Sequence, residues 1–375
     1  MSLNLSRRSL VLGTSALAAS TLVAERSGAQ PAAPVPSTRP ASAGGLARLI
    51  ANENPYGPSE SARRAVAEAL PTAWQYPMTQ QQVLKKMIAT REGLSPEHVL
   101  LGVGSGEILQ IAALVFGQGG GEVVAAVPAF GLLQDYAKQV GGIVTEVPLN
   151  AGLGHDLQGL AAAVTTRTRL LYVCNPNNPT GTLVPGPELR PFVQDMAGRT
   201  TVLVDEAYLD LWEDWPQHTA TDRVRAGQPV IVTRTFSKMH GLAGLRIGYA
   251  LAPPEVINRL ARHQMTFLGC AGLAAATASY QDLEFQSFSR ARLQESLGIT
   301  TAVLRELKLR HVEKGRGNFV FFDTGGSLAD FAAAMRSAGY QVGRPFPPYP
   351  SFCRVSMGTV PQMRGFAEAL RAYFT

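Results

Sequence analysis

The 375-residue sequence is poor in charged residues and in cysteine, and both shortages exclude classes of protein. Only 17% of its residues are charged, the formal net charge is +6, and the Lys and Arg residues are scattered, so a nucleic-acid surface is not expected. The three cysteines, Cys174, Cys270 and Cys353, are odd in number and widely spaced. They form neither a disulfide framework nor a metal-ligand pattern, so we expect no metal site.

The sequence also lacks an apolar run of the roughly 20 residues that a membrane-spanning helix needs. Its nearest approach, residues 11–24, follows Arg7 and Arg8 and precedes the small residues 27–29. This layout is typical of a secretory signal of the twin-arginine type. We predict that residues 1–29 direct the protein to the periplasm or the medium without stable membrane insertion. The alternative is an unused N-terminal segment and a cytoplasmic protein.

After a Pro- and Ala-rich linker and an N-terminal arm (residues 30–60), strand and helix patterns alternate, which is typical of an α/β fold with a largely parallel sheet between helices. The predicted strands are residues 98–103, 122–127, 143–147, 169–174, 201–204, 230–234 and 246–252. Beyond residue 254 longer helices dominate. We therefore predict a large domain over residues 61–254 and a smaller α+β domain over residues 255–375.

A lysine, Lys238, lies in the loop of residues 235–248 between two predicted strands, among mostly small and apolar neighbours. Burial favours the neutral amine of a lysine, which is the nucleophile that Schiff-base chemistry requires. Ser237 and Arg246 on the same loop suit a phosphate dianion. The alternative is a loop lysine that only caps a helix.

Two earlier strand ends carry groups suited to an anion and to a flat ring. Ser105 and Gly106 open a helix, where free N–H groups and glycine make an anion cradle. A dinucleotide fold is the alternative because residues 102–106 read GxGxG, although the third glycine of GxGxxG and an acidic residue ending the next strand are missing. Phe130, after the strand 122–127, is either a ring that stacks on a flat cofactor or a core phenylalanine.

Two later strand ends add an amide, a carboxylate and a phenol. Asn178 lies in a segment rich in Asn, Pro and Gly, and its amide can hydrogen-bond a phenolate oxygen. Asp205 ends a buried strand, and Tyr208 follows three residues later. A buried carboxylate is costly unless it meets a cation, such as a protonated pyridine nitrogen; the alternative for Asp205 is a helix cap. With Lys238, these groups predict a site for pyridoxal phosphate.

Five motifs carry a family resemblance: residues 52–58 (NENPYGP), Tyr76-Pro77, residues 177–181 (NNPTG), residues 205–208 (DEAY), and Ser237-Lys238 with residues 243–246 (AGLR). From about Leu46 to its C-terminus the chain resembles the fold-type I, class I/II pyridoxal-phosphate-dependent aminotransferases. Within them it is most similar to the histidinol-phosphate aminotransferases. The resemblance implies a mainly parallel seven-stranded sheet and a homodimer.

The resemblance also implies roles around the cofactor ring. Lys238 is the lysine that binds the cofactor covalently, and Asp205 pairs with the pyridine nitrogen. Asn178 and Tyr208 bond to the ring oxygen, and Phe130 stacks on the ring. Lys238, Asp205 and Tyr208 are the implied catalytic residues.

A second set of implied roles concerns the two anions of the reaction. The cofactor phosphate is held by Ser105, Gly106, Ser237 and Arg246, together with Tyr76 from the neighbouring subunit. The substrate is bound by Arg354, which grips a carboxylate or phosphate, and by Asn318, Asn52 and Tyr56.

We weigh three functions. The first is an aminotransferase that moves an amino group between an amino acid, such as glutamate, and a 2-oxo acid or phosphorylated carbonyl compound. The second keeps the cofactor but decarboxylates an amino-acid phosphate or racemises an amino acid. The third is a non-catalytic binding protein with the same fold, against which the intact Lys238, Asp205 and Tyr208 argue.

Overall fold

The computed structural model describes residues 45–375, whose largest element is a seven-stranded sheet. The strands of this region are β1 (Ala47–Arg48), β2 (Val99–Val103), β3 (Glu122–Val127), β4 (Ile143–Pro148), β5 (Thr168–Cys174), β6 (Thr201–Asp205), β7 (Val230–Thr235), β8 (Ile247–Leu251), β9 (Phe319–Asp323), β10 (Tyr340–Gln341) and β11 (Phe352–Ser356). The predicted signal segment, residues 1–29, lies outside the described residues.

The α-helices of the described region precede, separate and follow these strands. They are α1 (Glu60–Ala69), α2 (Met78–Glu92), α3 (Gly104–Gly117), α4 (Leu132–Gln139), α5 (Leu157–Ala163), α6 (Gly186–Ala197), α7 (Thr221–Arg225), α8 (Pro254–Ala261), α9 (Cys270–Gln281), α10 (Leu283–Glu306), α11 (Leu328–Ser337) and α12 (Val360–Phe374). Within residues 45–375, no helix is both long and apolar enough to cross a membrane.

The large sheet has the strand order β2-β8-β7-β6-β5-β3-β4. Six of its strands are parallel, and β8 runs antiparallel to both of its neighbours, β2 and β7. Parallel strands place their carboxyl ends at one edge of a sheet, so the loops that follow β2, β3, β5, β6 and β7 meet there. The predicted mainly parallel, seven-stranded α/β sheet is confirmed.

Both faces of the sheet are buried, which explains why its strands read as nearly continuous apolar runs. Along β6, Val202 and Val204 belong to one hydrophobic cluster, whereas Leu203 belongs to the cluster on the other side. Helices cover each side, so the polar residues of the sequence that follow these strands lie at the sheet edge rather than on a face.

A third cluster contains the two small sheets of the described region, β9 with β11 and β1 with β10. Tyr208 and Met239, from the loops after β6 and β7, pack into the same cluster as Leu49 of the arm. The C-terminal elements therefore buttress the loops that carry the predicted site. The described residues form one compact unit, and the boundary at residue 254 stays a prediction.

The predicted strands of the large sheet begin and end within one residue of the observed ones. Helix α3 begins at Gly104, directly after β2. There Gly104 adopts a left-handed φ of 71°, and the Glu107 carboxylate accepts the Val103 N–H at 2.6 Å. The helix thus starts directly after the strand, with Ser105 and Gly106 in its first turn.

Candidate active site

Lys238 lies in the turn between β7 and β8, at the carboxyl edge of the sheet. Its Nζ donates a hydrogen bond of 2.9 Å to the backbone carbonyl of Asn52 in the N-terminal arm. Burial, reinforced by the positive charge of Arg354, lowers the pKa of the Lys238 amine from 10.5 to about 8. A substantial share of this amine is therefore neutral near physiological pH and available as a nucleophile or a base.

Asp205 is the last residue of β6, and only 2% of its surface is exposed. Its carboxylate accepts a hydrogen bond of 2.9 Å from the Thr233 hydroxyl, and the Ala207 N–H also donates to it. Burial nevertheless raises the pKa of the carboxyl to about 6. No cation of residues 45–375 forms a salt bridge with it. A protonated ring nitrogen would supply the missing charge.

Tyr208 lies beside this carboxylate, on the loop after β6, and it receives two hydrogen bonds. The side-chain amides of Asn52 and Asn178 donate to its hydroxyl at 3.0 Å and 3.3 Å. Its ring meets Phe319 edge to face, with centroids 5.1 Å apart, and Lys238 Nζ lies 5.5 Å from the ring centroid. The phenol, the amide and the amine predicted from separate strand ends thus share one pocket.

The predicted phosphate ligands meet where β2, the Lys238 loop and β8 come together. Arg246 Nη1 lies 3.4 Å from the Ser237 hydroxyl, and Nη2 donates to the Val103 carbonyl at 3.3 Å. Gly104 has a left-handed φ of 71°, which favours glycine, and a Cβ there would push the Arg246 guanidinium away from the start of α3. Ser105 therefore has its helix-start N–H next to a cation, which suits a dianion.

Arg354, in β11, is buried and has no carboxylate partner within residues 45–375. Its Nη1 donates to the Asn178 side-chain oxygen at 2.6 Å, its Nη2 donates to the Ile50 carbonyl at 2.7 Å, and its Nε has no partner. Burial lowers the pKa of the guanidinium to about 10. Nearby, Asn318 donates to the Glu53 carbonyl at 3.1 Å, while its own Oδ1 has no partner. Both side chains retain buried polar atoms for a substrate.

Three predicted site residues have contacts away from this group. The Tyr56 hydroxyl accepts the Val360 N–H at 2.8 Å. Phe130 is half-buried against the hydrophobic cluster on one sheet face. Tyr76 is 78% exposed and contacts the ring of Phe267, with centroids 5.4 Å apart. Their predicted roles, stacking for Phe130, substrate contact for Tyr56 and phosphate contact across a dimer for Tyr76, stay predictions.

Sequence reasoning missed Ser356, which holds the arm against the site. The Ser356 hydroxyl accepts the Asn52 backbone N–H at 2.7 Å and donates to the Asn52 side-chain oxygen at 2.9 Å. The available signal was its position two residues after Arg354 in a strand, since residues with that spacing share a face.

Sequence reasoning also missed a buried ion cluster behind Asp205. Arg234 of β7 forms salt bridges with Glu92 at 2.7 Å and with Glu206 at 2.9 Å. The Thr219 hydroxyl and the Ala220 N–H also donate hydrogen bonds to the Glu206 carboxylate. This cluster fixes the loop that follows β6, and with it the place of the neighbouring site residues.

The lowered pKa of Lys238 predicts an unusual labelling profile. In protein freed of bound small molecules, acetylation of Lys238 by acetic anhydride should rise with pH through about 8 and then level off, because only the neutral amine reacts. A lysine in water would show the rise near 10.4. The measurement is competitive labelling across the pH range, followed by mass spectrometry of the Lys238 peptide.

Arg354→Gln removes the positive charge that, after burial, lowers the Lys238 pKa most, so it should move this midpoint to higher pH. Arg364→Gln, at an exposed position in α12, is the matched control and should leave the midpoint unchanged. A midpoint near 10.4 in the unmodified protein would contradict the inferred burial of the amine.

The assembled groups fit pyridoxal phosphate on structural grounds. A buried carboxylate without a cation suits the pyridine nitrogen. A helix start whose glycine lies against the Arg246 guanidinium suits the phosphate, and an amine of lowered pKa suits the aldehyde. The residues are Asp205, Gly104 and Lys238. Among residues 45–375, no group of three or more His, Cys, Asp or Glu side chains could hold a metal ion.

Comparison with known proteins agrees with this assignment. The model of the family "Aminotransferase class I and II" matches residues 46–370. The histidinol-phosphate aminotransferase of Moorella thermoacetica is 38% identical over 86% of this chain and 84% of the relative. That of Caldicellulosiruptor saccharolyticus is 34% identical over 86% of this chain and 90% of the relative.

Solved structures show the same fold. A putative histidinol-phosphate aminotransferase from Erwinia carotovora atroseptica matches with a TM-score of 0.84 and 32% identity over 88% of this chain and 96% of the other. The histidinol-phosphate aminotransferase from Sinorhizobium meliloti, solved with pyridoxal-5'-phosphate, matches with a TM-score of 0.79 and 26% identity over 88% and 91%. The chain therefore belongs to the class I and II aminotransferases and is a pyridoxal-phosphate-dependent enzyme.

Proposed function

We propose that the enzyme transfers an amino group between glutamate and a carbonyl compound that carries a phosphate, as the names of its relatives indicate for histidinol phosphate. The observation that carries the proposal is the buried Arg354 guanidinium. It is held by the neutral Asn178 amide and the Ile50 carbonyl, and it pairs with no acid among residues 45–375. A buried cation in this state is stabilised by a substrate anion, either carboxylate or phosphate.

Each remaining residue has a task in this proposal. Bound pyridoxal phosphate supplies an aldehyde and an electron-accepting ring. Asp205 keeps the ring nitrogen protonated, and Lys238, whose amine pKa is lowered to about 8, takes and returns the proton at the substrate Cα. Ser105, Gly106, Ser237 and Arg246 hold the cofactor phosphate.

The substrate proposal is tested by the amino-donor half of the reaction. L-Glutamate, histidinol phosphate and histidinol are each mixed with the purified enzyme without an acceptor, while the visible band of the bound cofactor is followed. We expect glutamate and histidinol phosphate to abolish the band and to release one equivalent of carbonyl product. Histidinol should react at least about 10-fold more slowly, because it lacks the anion that Arg354 binds.

Arg354→Gln should slow the reaction of histidinol phosphate by about 10- to 100-fold and that of histidinol much less. Equal rates for the phosphorylated and unphosphorylated donors would refute the phosphate proposal. Release of carbon dioxide, or racemisation without a carbonyl product, would favour a decarboxylase or a racemase.

We further propose that the enzyme is a homodimer, based on an exposed apolar surface, called here the α2 patch. Within the described region this patch contains side chains that are roughly half exposed or more: Leu70, Trp74, Tyr76, Met78, Val83, Met265 and Phe267. The rings of Tyr76 and Phe267 contact each other, with centroids 5.4 Å apart. Large contiguous apolar surfaces are rare on soluble monomers and mark interaction sites. A second copy of the chain would cover them and bring Tyr76 to the neighbouring phosphate site, as the family resemblance implies.

Trp74→Glu should weaken the dimer, because it places a charge in the proposed apolar contact. Sedimentation equilibrium at a series of protein concentrations measures the change. Ile143→Glu, at a 54% exposed position on the edge strand β4, is the matched control and should stay dimeric. A monomeric unmodified protein would disprove the dimer.

The predicted export of the protein is also a proposal, and it rests on Arg7, Arg8 and the apolar segment that follows. Expressed as the full chain in a bacterium with a twin-arginine transporter, the protein should be recovered from the periplasm. Replacing Arg7 and Arg8 together by Lys should retain it in the cytoplasm, whereas Arg26→Lys should not. Identical fractionation of all three proteins would refute a twin-arginine signal.

A further inference from the structure

The hydroxyl of Tyr208 has both of its accepting directions occupied. Asn52 Nδ2 lies 3.0 Å from the oxygen and Asn178 Nδ2 lies 3.3 Å from it. No acceptor for the hydroxyl proton lies within hydrogen-bond distance among residues 45–375. When both lone pairs of the phenol oxygen accept hydrogen bonds, its O–H must point away from both donors. Whether the two lone pairs are occupied depends on whether each amide turns its nitrogen or its oxygen toward Tyr208.

Asn178 is oriented by a group that cannot accept a hydrogen bond. Arg354 Nη1 lies 2.6 Å from the Asn178 side-chain oxygen, and a guanidinium only donates. The amide oxygen must therefore face Arg354, and its nitrogen must face Tyr208.

Asn52 is oriented in a similar way, through Ser356. The Asn52 backbone N–H donates to the Ser356 hydroxyl at 2.7 Å, and the hydroxyl lies 2.9 Å from the Asn52 side-chain oxygen. If the amide were turned around, the buried Ser356 proton would lose its acceptor, because no other described residue offers one. The observed arrangement places the Asn52 nitrogen against Tyr208.

Two series of hydrogen bonds therefore end on the Tyr208 oxygen. In one, Arg354 donates to Asn178 and Asn178 donates to Tyr208; in the other, Ser356 donates to Asn52 and Asn52 donates to Tyr208. We infer that Asn52 and Ser356 are positioning residues, which act through Tyr208 by forcing its hydroxyl proton to point at the ring oxygen of the bound cofactor. The inference rests on the cofactor and not on the identity of the substrate. It gives Asn52 a task beyond the substrate contact that the family resemblance implies.

The burial of Tyr208 supports this assignment, because it raises the pKa of the phenol above its ordinary value of 10 and keeps the proton in place. The titratable groups that face Tyr208 come from β5, β6, the loop after β7, and β11: Tyr172, Cys174, Asp205, Lys238 and Arg354. Asn52 and Ser356 are uncharged, so their replacement by uncharged residues leaves the electrostatic field of these groups unchanged.

The test follows the pH titration of the cofactor's visible band in the holoenzyme without substrate. This titration reports the proton that the cofactor-bound Lys238 nitrogen shares with the ring oxygen. A donor to that oxygen stabilises its negative charge and favours loss of the shared proton. Tyr208→Phe removes the donor and should therefore raise the pKa of the band.

Asn52→Gly retains the left-handed backbone, with its φ of 52°, and removes only the amide. It should raise the pKa of the band by roughly half a unit or more, the equivalent of one neutral hydrogen bond. Ser356→Ala leaves the amide free to turn and should shift the pKa in the same direction by a smaller amount.

The decisive comparison is made in the Tyr208→Phe background, where neither Asn52→Gly nor Ser356→Ala should move the pKa of the band further. A purely structural role would disturb the band equally with and without the Tyr208 hydroxyl, and that result would overturn the inference. An unchanged pKa in both single variants would also overturn it. Because no amino donor is added, this outcome is independent of whether the substrate proposal succeeds.

Discussion

The burial of charge at the carboxyl edge of the large sheet is the constraint on which this structure depends. Moving an amine, a carboxylate and a guanidinium out of water is costly, and the protein leaves Lys238, Asp205 and Arg354 with neutral partners only. The cost is visible in the pKa values of these groups, each of which moves toward its uncharged form. The site therefore suits a ligand that brings a cation to Asp205, an anion to Arg354 and an electrophile to the partly neutral Lys238 amine.

Two neighbouring residues at the end of β6 differ in whether the protein supplies a charged partner. Asp205 and Glu206 are adjacent at the end of β6 and both are buried. Glu206 has a full set of partners, among them Arg234, whereas Asp205 receives only a hydroxyl and a backbone N–H. The protein supplies a guanidinium to Glu206 but none to the adjacent Asp205. The Asp205 carboxylate is therefore the one that remains available to a cationic ligand.

The sequence was sufficient to predict the sheet and the residues that meet at its edge, because both depend on local patterns. Apolar runs identify buried parallel strands, and polar residues directly after them must lie at the same edge. The sequence did not predict which groups donate and which accept in the hydrogen bonds among Ser356, Asn52 and Tyr208. Ser356 lies 304 residues from Asn52, and nothing near either residue in the sequence indicates that they pair. Such contacts depend on how the arm crosses the C-terminal strand, which no periodic pattern encodes.

Asn52 shows why one side-chain type satisfies several demands at once. Its backbone is left-handed, a conformation that asparagine tolerates better than most residues other than glycine. That conformation directs its carbonyl to the Lys238 amine, while its amide accepts from Ser356 and donates to Tyr208. Glycine would keep the backbone and lose the amide, and aspartate would keep an acceptor but could not donate. Asparagine combines the two, so the arm connects the amine and the phenol of the site through a single residue.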